Sequence, residues 1–333
     1  MGASSILVLG SLPEEHLVAL QRFECVPCET QADLEQALGG SPEAIEGILL
    51  VNEIGVSAQT IDRLPNLKMI SNYGAGYDDI DMARVADRGI AVSYTPSILS
   101  DDVADIAIGL MLMTARHLGE ADRFVRSGAW AAGRDFPLTG SLYGCTLGIL
   151  GYGGIGRAAA RRASAFGLNI AYHSRRPVDG EDAKYCDTPL ALAAESDILL
   201  VTAPGGAATH HIVNADVLRA LGRGLVINVG RGSVIDTEAL ITALERGELM
   251  GAGLDVIEDE PAVPARLLAL PNVVILPHVG SATTRARSMM ARLAVDNIVE
   301  FFTYGRLLTP TPEMQAAELG GSRDETNAAP VLN

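Results

Sequence analysis

Tryptophan occurs once in 333 residues, aromatic residues make up 5%, and cysteine occurs four times. Four thiols (Cys25, Cys28, Cys145, Cys186) do not suggest a disulfide framework in a chain of this size. Cys25 and Cys28 form a C-x-x-C, but no second such pair and no nearby histidine pair completes a zinc site, so no metal is expected. Positive charge is scarce: 25 Lys and Arg stand against 41 Asp and Glu, for a net charge of −16. That balance argues against nucleic acid and anionic membrane as partners. Long apolar runs are missing as well. The most apolar helical stretch, ADIAIGLMLMTA at 104–115, is too short to span a bilayer and ends at Arg116. The start, MGASSILVLG, has no basic n-region and carries Ile6 where a myristoylation signal needs Ser or Thr. A soluble, cytoplasmic protein is expected. No repeat of solenoid period is present.

What the chain does have is apolar content, 48%, and 35 glycines, enough for two cores and many tight turns. Short β-branched or Leu-rich runs alternate with segments of helical period, the pattern of doubly wound α/β folds with parallel sheets. Residues 5–9, 46–51, 67–71 and 90–94 read as one set of strands. Residues 146–151, 168–173, 197–202, 224–229, 252–256 and 272–277 read as a second. Ser100, Asp101 and Asp102 mark the start of a helix that runs to about His117 and is apolar almost all round, as if buried between domains. Another helical pattern, 286–302, follows the second set, and the polar residues after 311 read as a mobile tail. The expected division is 1–99 with 286–333 as a substrate-binding domain and 100–285 as a dinucleotide-binding Rossmann domain.

The segment TLGILGYGGIGRAAARRASAFGLNIAYHSRRP is strand, glycine turn, helix, strand. Gly151, Gly153 and Gly156 make G-x-G-x-x-G in the context that gives this motif meaning. The first permits the tight turn, the second lets backbone approach a pyrophosphate, and the third lets helix pack closely on strand. The second strand should end near the adenosine ribose. An acid there would accept hydrogen bonds from a 2′-hydroxyl and select NAD(H), but His173-Ser174-Arg175-Arg176 holds none. A hydroxyl and two guanidinium groups suit a 2′-phosphate, so Ser174, Arg175 and Arg176 point to NADP(H), with NAD(H) the weaker alternative.

Three further motifs follow strands of the second set. INVGRGSVID places Arg231 between glycines at a strand end, where it could grip a carboxylate. GAGLDVIEDEP supplies Asp255, Glu258, Asp259 and Glu260. LPHVGSAT supplies His278, which beside a carboxylate would stay protonated and serve as a general acid. Together they meet the needs of hydride transfer to a 2-oxo acid: a cation, a proton donor and a partner that keeps the donor charged. His16 and His117 on helices, His173 in a strand, and His210 and His211 on a loop have weaker claims.

These motifs, in this order, resemble those of the D-isomer-specific 2-hydroxyacid dehydrogenase family over nearly the whole chain. The resemblance implies two Rossmann-like domains with the active site in the cleft between them, and a homodimer formed through the nucleotide domain. It implies Arg231 as the carboxylate- and carbonyl-binding residue, Glu260 as the partner of the catalytic histidine, and His278 as proton donor or acceptor. It implies Asp255 as a contact of the nicotinamide carboxamide. Gly154, Ile155, Val229, Gly230 and Gly280 join the cofactor set. SNYGAGYDDID (71–81) resembles the substrate loop, whose amides at Ala75 and Gly76 would hold the carboxylate. HSRR and the segment around Trp130 are similar to those of glyoxylate/hydroxypyruvate reductases, some of which also reduce 2-ketogluconate. Gly205-Gly206-Ala207-Ala208 departs from the larger polar run usual at that loop. Two rival readings remain: an NAD-linked dehydrogenase of another D-2-hydroxy acid, and a dinucleotide-sensing corepressor. Leu50, Asn52, Tyr73 and Trp130 are candidate substrate-pocket walls.

Overall fold

The computed structural model describes residues 4–51 and 54–315, which divide into two units: residues up to 98 with those from 284 onward, and residues 99–283. In the first, β1 (Ser5–Leu9), β2 (Glu24–Cys28), β3 (Ile45–Leu50), β4 (Met69–Asn72) and β5 (Ala91–Ser93) form a sheet of order β2-β1-β3-β4-β5, every pair parallel. The inner strands are covered on both faces, which is why they read as continuous apolar runs. Helix Thr284–Tyr304 covers one of those faces, its Ala291, Ala294, Val295 and Ile298 meeting Ile6, Val8, Leu49 and Met69. Ser71 anchors it with a 2.7 Å hydrogen bond from Oγ to the Ala294 carbonyl. The strand β2 is absent from the sequence reading because Pro27 cannot donate to a central ladder. The structure puts it at the sheet edge, where proline is tolerated.

The second unit carries β6 (Thr146–Leu150), β7 (Asn169–His173), β8 (Lys184–Tyr185), β9 (Ile198–Val201), β10 (Leu225–Asn228), β11 (Gly251–Leu254) and β12 (Val273–Ile275). Their order is β12-β11-β10-β9-β6-β7-β8, again all parallel. Only β8 lacks a counterpart in the sequence reading, and its two residues are too short to leave a periodic signal. The winding reverses between β6 and β9, and such a switch point opens a crevice at the carboxyl ends of the strands.

Helix Ser100–Arg116 starts where Ser100, Asp101 and Asp102 indicated and ends at His117, whose φ of 49° is left-handed. It lies on β10 and β11 of this unit. Glycine in β11 lets it come close: a Cβ on Gly253 would fall 2.8 Å from Thr114 Oγ1. Arg162 of helix Gly154–Ala165 braces it from the side, with Nη1 3.1 Å from Asp101 and Nε 2.6 Å from Asp105.

Candidate active site

The glycine turn closes β6. Gly151 has φ 99°, and a Cβ there would press within 2.6 Å of the Ala203 nitrogen, so no L side chain fits. Gly156 is equally constrained, its hypothetical Cβ 2.5 Å from the Gly151 carbonyl. Gly153 is different: a Cβ would meet nothing within 4 Å. It sits at the N-cap of helix Gly154–Ala165 with no side chain satisfying the first amides. Bare amides at the positive end of a helix, on backbone stripped of side chain, fit a dinucleotide pyrophosphate. Ile155 is half-buried in the first turn.

The segment after β7 rests on tyrosines. Tyr152 stacks on Tyr172 with centroids 4.1 Å apart, and Tyr185 meets Tyr172 edge-on at 5.5 Å. The Tyr172 hydroxyl accepts from the Val178 amide at 2.9 Å, and the Tyr185 hydroxyl donates to the Ser174 carbonyl at 3.4 Å. Tyr152 donates to Glu181 at 3.1 Å, and burial, then this carboxylate, push its pKa up to about 12. Arg175 and Arg176 are exposed, and among the described residues neither guanidinium group forms a hydrogen bond or ion pair. The Ser174 hydroxyl donates to the Arg176 carbonyl at 2.6 Å, so it braces the turn and would have to rotate to reach a phosphate.

At the end of β10, Val229 and Gly230 lead to Arg231. Sequence reasoning missed Asn228, which is 1% exposed and shapes this turn. Its Oδ1 accepts from the Gly230 amide at 3.0 Å, and its Nδ2 donates to the Arg231 carbonyl at 2.9 Å. Asn228 stands three residues before Arg231 and would have been found by asking what satisfies the turn's backbone. Gly230 and Gly232 admit no Cβ, because one would fall 2.6 Å from the Ala203 carbonyl oxygen and the other 2.0 Å from the Ile257 carbonyl carbon. The Arg231 turn therefore lies directly against the Ile257–Glu258 backbone.

His278 and Glu260 meet. His278 Nδ1 is 2.5 Å from Glu260 Oε1, and Glu260 Oε2 accepts from the Ile257 amide at 3.2 Å. The hydrogen bond to Glu260 raises the His278 pKa above the usual imidazole value, against burial and the nearby Arg231 charge, with the Glu260 and Asp255 charges adding to the rise. Burial works to raise the Glu260 pKa. The His278 hydrogen bond and charge, the Ile257 amide and Arg231 outweigh it and hold this carboxyl below the ordinary range. Both shifts favour the ionic form of the pair, the form a general acid needs.

Asp255 is 2% exposed, and its carboxylate is already engaged: Oδ1 and Oδ2 accept from the Val279 and Gly280 amides at 2.8 Å each. With the His278 amide on the Asp255 carbonyl at 2.9 Å, this residue builds the turn on which His278 stands at φ 53°. Asp255→Asn should destabilise the fold by about 1–3 kcal/mol, because an NH₂ group would face a buried N–H. Thermal unfolding checks this, with a fall of roughly 2–4 °C per kcal/mol expected for a unit of this size.

In the first unit, Ala75 and Gly76 lie half-buried in a turn held by Asn72, whose Nδ2 donates to the Gly76 and Gly74 carbonyls at 2.7 and 3.2 Å. Leu50 is fully packed in the core at 2% exposure and lines no open surface, which corrects its reading as a pocket wall. Tyr73 donates to the Arg287 carbonyl at 3.3 Å, Trp130 is exposed, and Asn52 lies outside the described residues.

Comparison with known proteins gives the family and fold of the chain. Residues 108–280 match the family model for the D-isomer specific 2-hydroxyacid dehydrogenase NAD binding domain. The chain is 43% identical to a hydroxyphenylpyruvate reductase of Plectranthus scutellarioides, over 87% of this chain and 93% of the relative. It is 44% identical to a glyoxylate/hydroxypyruvate reductase of Arabidopsis thaliana over the same shares. A crystal structure of an NADPH-dependent glyoxylate/hydroxypyruvate reductase from Sinorhizobium meliloti, in complex with NADP and malonate, superposes with a TM-score of 0.87 at 44% identity. That match covers 94% of this chain and 98% of the other.

Proposed function

The chain belongs to the D-isomer specific 2-hydroxyacid dehydrogenase family, whose members take a nicotinamide dinucleotide, and on that premise we propose that it uses NADPH to reduce a small 2-oxo acid to the D-2-hydroxy acid. Glyoxylate and hydroxypyruvate are the first candidates, with 2-ketogluconate and hydroxyphenylpyruvate beside them. The observation that carries the reading is the 2.5 Å His278–Glu260 contact, with Arg231 nearby, at the carboxyl edge of a sheet with a dinucleotide turn.

The dinucleotide, when bound, supplies the hydride. Arg231 holds the substrate carboxylate and polarises the C2 carbonyl. Because Glu260 occupies Nδ1, His278 presents Nε2 to the carbonyl oxygen and protonates it as charge develops there, while Glu260 stabilises the charged ring beforehand. Asn228 and Asp255 fix the backbone that carries Arg231 and His278. The half-buried amides of Ala75 and Gly76 are proposed as a carboxylate-binding element of the first unit. The cofactor set is Gly151, Gly153, Gly154, Ile155, Gly156, Ser174, Arg175, Arg176, Val229, Gly230 and Gly280, with Asp255 acting through the turn it builds.

Initial rates of NADPH and NADH oxidation with the four oxo acids test this reading. Turnover with marked NADPH preference is the expected result. No turnover with any of them would overturn it. The pH profile has a fixed sign. Reduction needs protonated His278, so kcat/KM for reduction should be level at low pH and fall as pH rises through the raised pKa of His278. Oxidation of the hydroxy acid needs the neutral ring and should rise over that window.

No helix of the described residues is long and apolar enough to cross a membrane. A cytoplasmic homodimer is proposed, with Trp130, Leu138 and Tyr143, exposed by 67%, 102% and 83%, as the apolar surface that pairing would cover.

A further inference from the structure

His210 and His211 take no part in the proposed reaction, yet their arrangement is specific. Consecutive side chains of an extended chain point to opposite sides. His211 has φ 50°, in the left-handed region, and the two imidazoles stack with centroids 3.9 Å apart and planes 27° from parallel. Glu258 reaches the same point from the turn after β11. Its Oε1 lies 2.7 Å from His211 Nε2 and 3.8 Å from His210 Nε2. Its Oε2 accepts from the Thr237 hydroxyl at 3.0 Å, which fixes the plane of the carboxylate. One donor atom from each of the three residues lies within 4.8 Å of the others.

We propose that His210, His211 and Glu258 bind a divalent transition-metal ion of the zinc class. Two imidazole nitrogens and a carboxylate oxygen are a donor set zinc accepts when a fourth position is left to water. Bonds of about 2.0–2.1 Å set tetrahedral donors roughly 3.3 Å apart, a spacing that the two distances to Glu258 bracket. Calcium and magnesium, which favour all-oxygen sites, do not suit this set. The His210 side chain is 57% exposed and Glu258 23%, so the ion enters from solvent and keeps a position for water. The ion would take the place of the hydrogen bond between His211 and Glu258. Bound there, it ties the loop after β9 to the turn after β11. The sequence concealed the site because Glu258 lies 47 positions from His211.

The full-length protein, freed of metal by chelation, is titrated with Zn²⁺ by calorimetry and with Co²⁺ by visible absorption. One equivalent should bind, with the intense d–d bands of low-coordinate Co²⁺, and Zn²⁺ should raise the unfolding temperature. His210→Ala and Glu258→Gln should each weaken binding by more than the roughly 10–100-fold that loss of an outer-sphere partner costs. Unfolding without metal shows whether these variants are folded. Cys25→Ser/Cys28→Ser and His278→Asn should keep the site. Absence of saturable binding, binding that survives both ligand substitutions, or binding lost with the cysteines or His278 would each overturn the assignment.

Discussion

Replacing His278 by alanine is expected to lower the turnover of every 2-oxo acid substrate by ~10² to 10⁴-fold, the usual worth of a positioned general acid. KM for NADPH should change far less than kcat, because the glycine turn after β6 and the segment after β7 lie on other loops and only Gly280 of the proposed cofactor set shares the His278 turn. The position is left-handed, at φ 53°, where an alanine is poorly accommodated. His278→Asn is therefore the better control, since asparagine tolerates that backbone and cannot donate an acidic proton. Glu260→Gln keeps the shape of the pair but removes its charge. Its activity for reduction should fall at a lower pH than in the wild type, because the pKa of His278 is no longer raised by a carboxylate. Steady-state rates across pH check all three. A His278→Asn enzyme working at close to the wild-type rate would remove this residue from the mechanism.

The second large effect concerns the paired arginines. Arg175→Gln/Arg176→Gln is expected to raise KM for NADPH by about 10²-fold, while KM for NADH changes less than about threefold. Hydrogen bonds to a charged partner contribute about 1.5–3 kcal/mol each, and exposure of both guanidinium groups places them at the low end. Two such bonds amount to roughly 3 kcal/mol, or two decades in affinity. kcat should hold for both cofactors. An equal rise in both Michaelis constants would mean that the arginines serve general electrostatics, not recognition of the 2′-phosphate.

The fold was legible wherever the signal is local. A buried parallel strand announces itself as a short apolar run, and each of the ten runs read from the sequence lies on a strand. The strand β2 was hidden by Pro27, and β8 by its length. The glycine turn was legible because strand, turn and helix are contiguous. Arg231, Glu260 and His278 were legible as motifs at strand ends, and the structure brings Glu260 and His278 into contact.

The supporting residues were not legible, because their work is done on backbone far along the chain. Asp255 satisfies amides 24 and 25 positions away. Glu258 meets a histidine from another loop. The Ser174 hydroxyl, assigned to a phosphate from its place after the second strand, also holds its own turn together by a bond to the Arg176 carbonyl.

The three tyrosines under the 174–177 turn have a consequence for how such an enzyme can change. Every hydrogen bond by which they grip that turn ends on a backbone atom of residue 174 or 178, or on Glu181. None uses the side chain of Arg175 or Arg176, so the frame does not depend on what those two positions carry. The turn is an interchangeable cassette, open to exchange with the packing beneath it left intact. A lineage could move between cofactors through a few substitutions there, each intermediate still folded, and the nucleotide used today need not be the one its ancestors used.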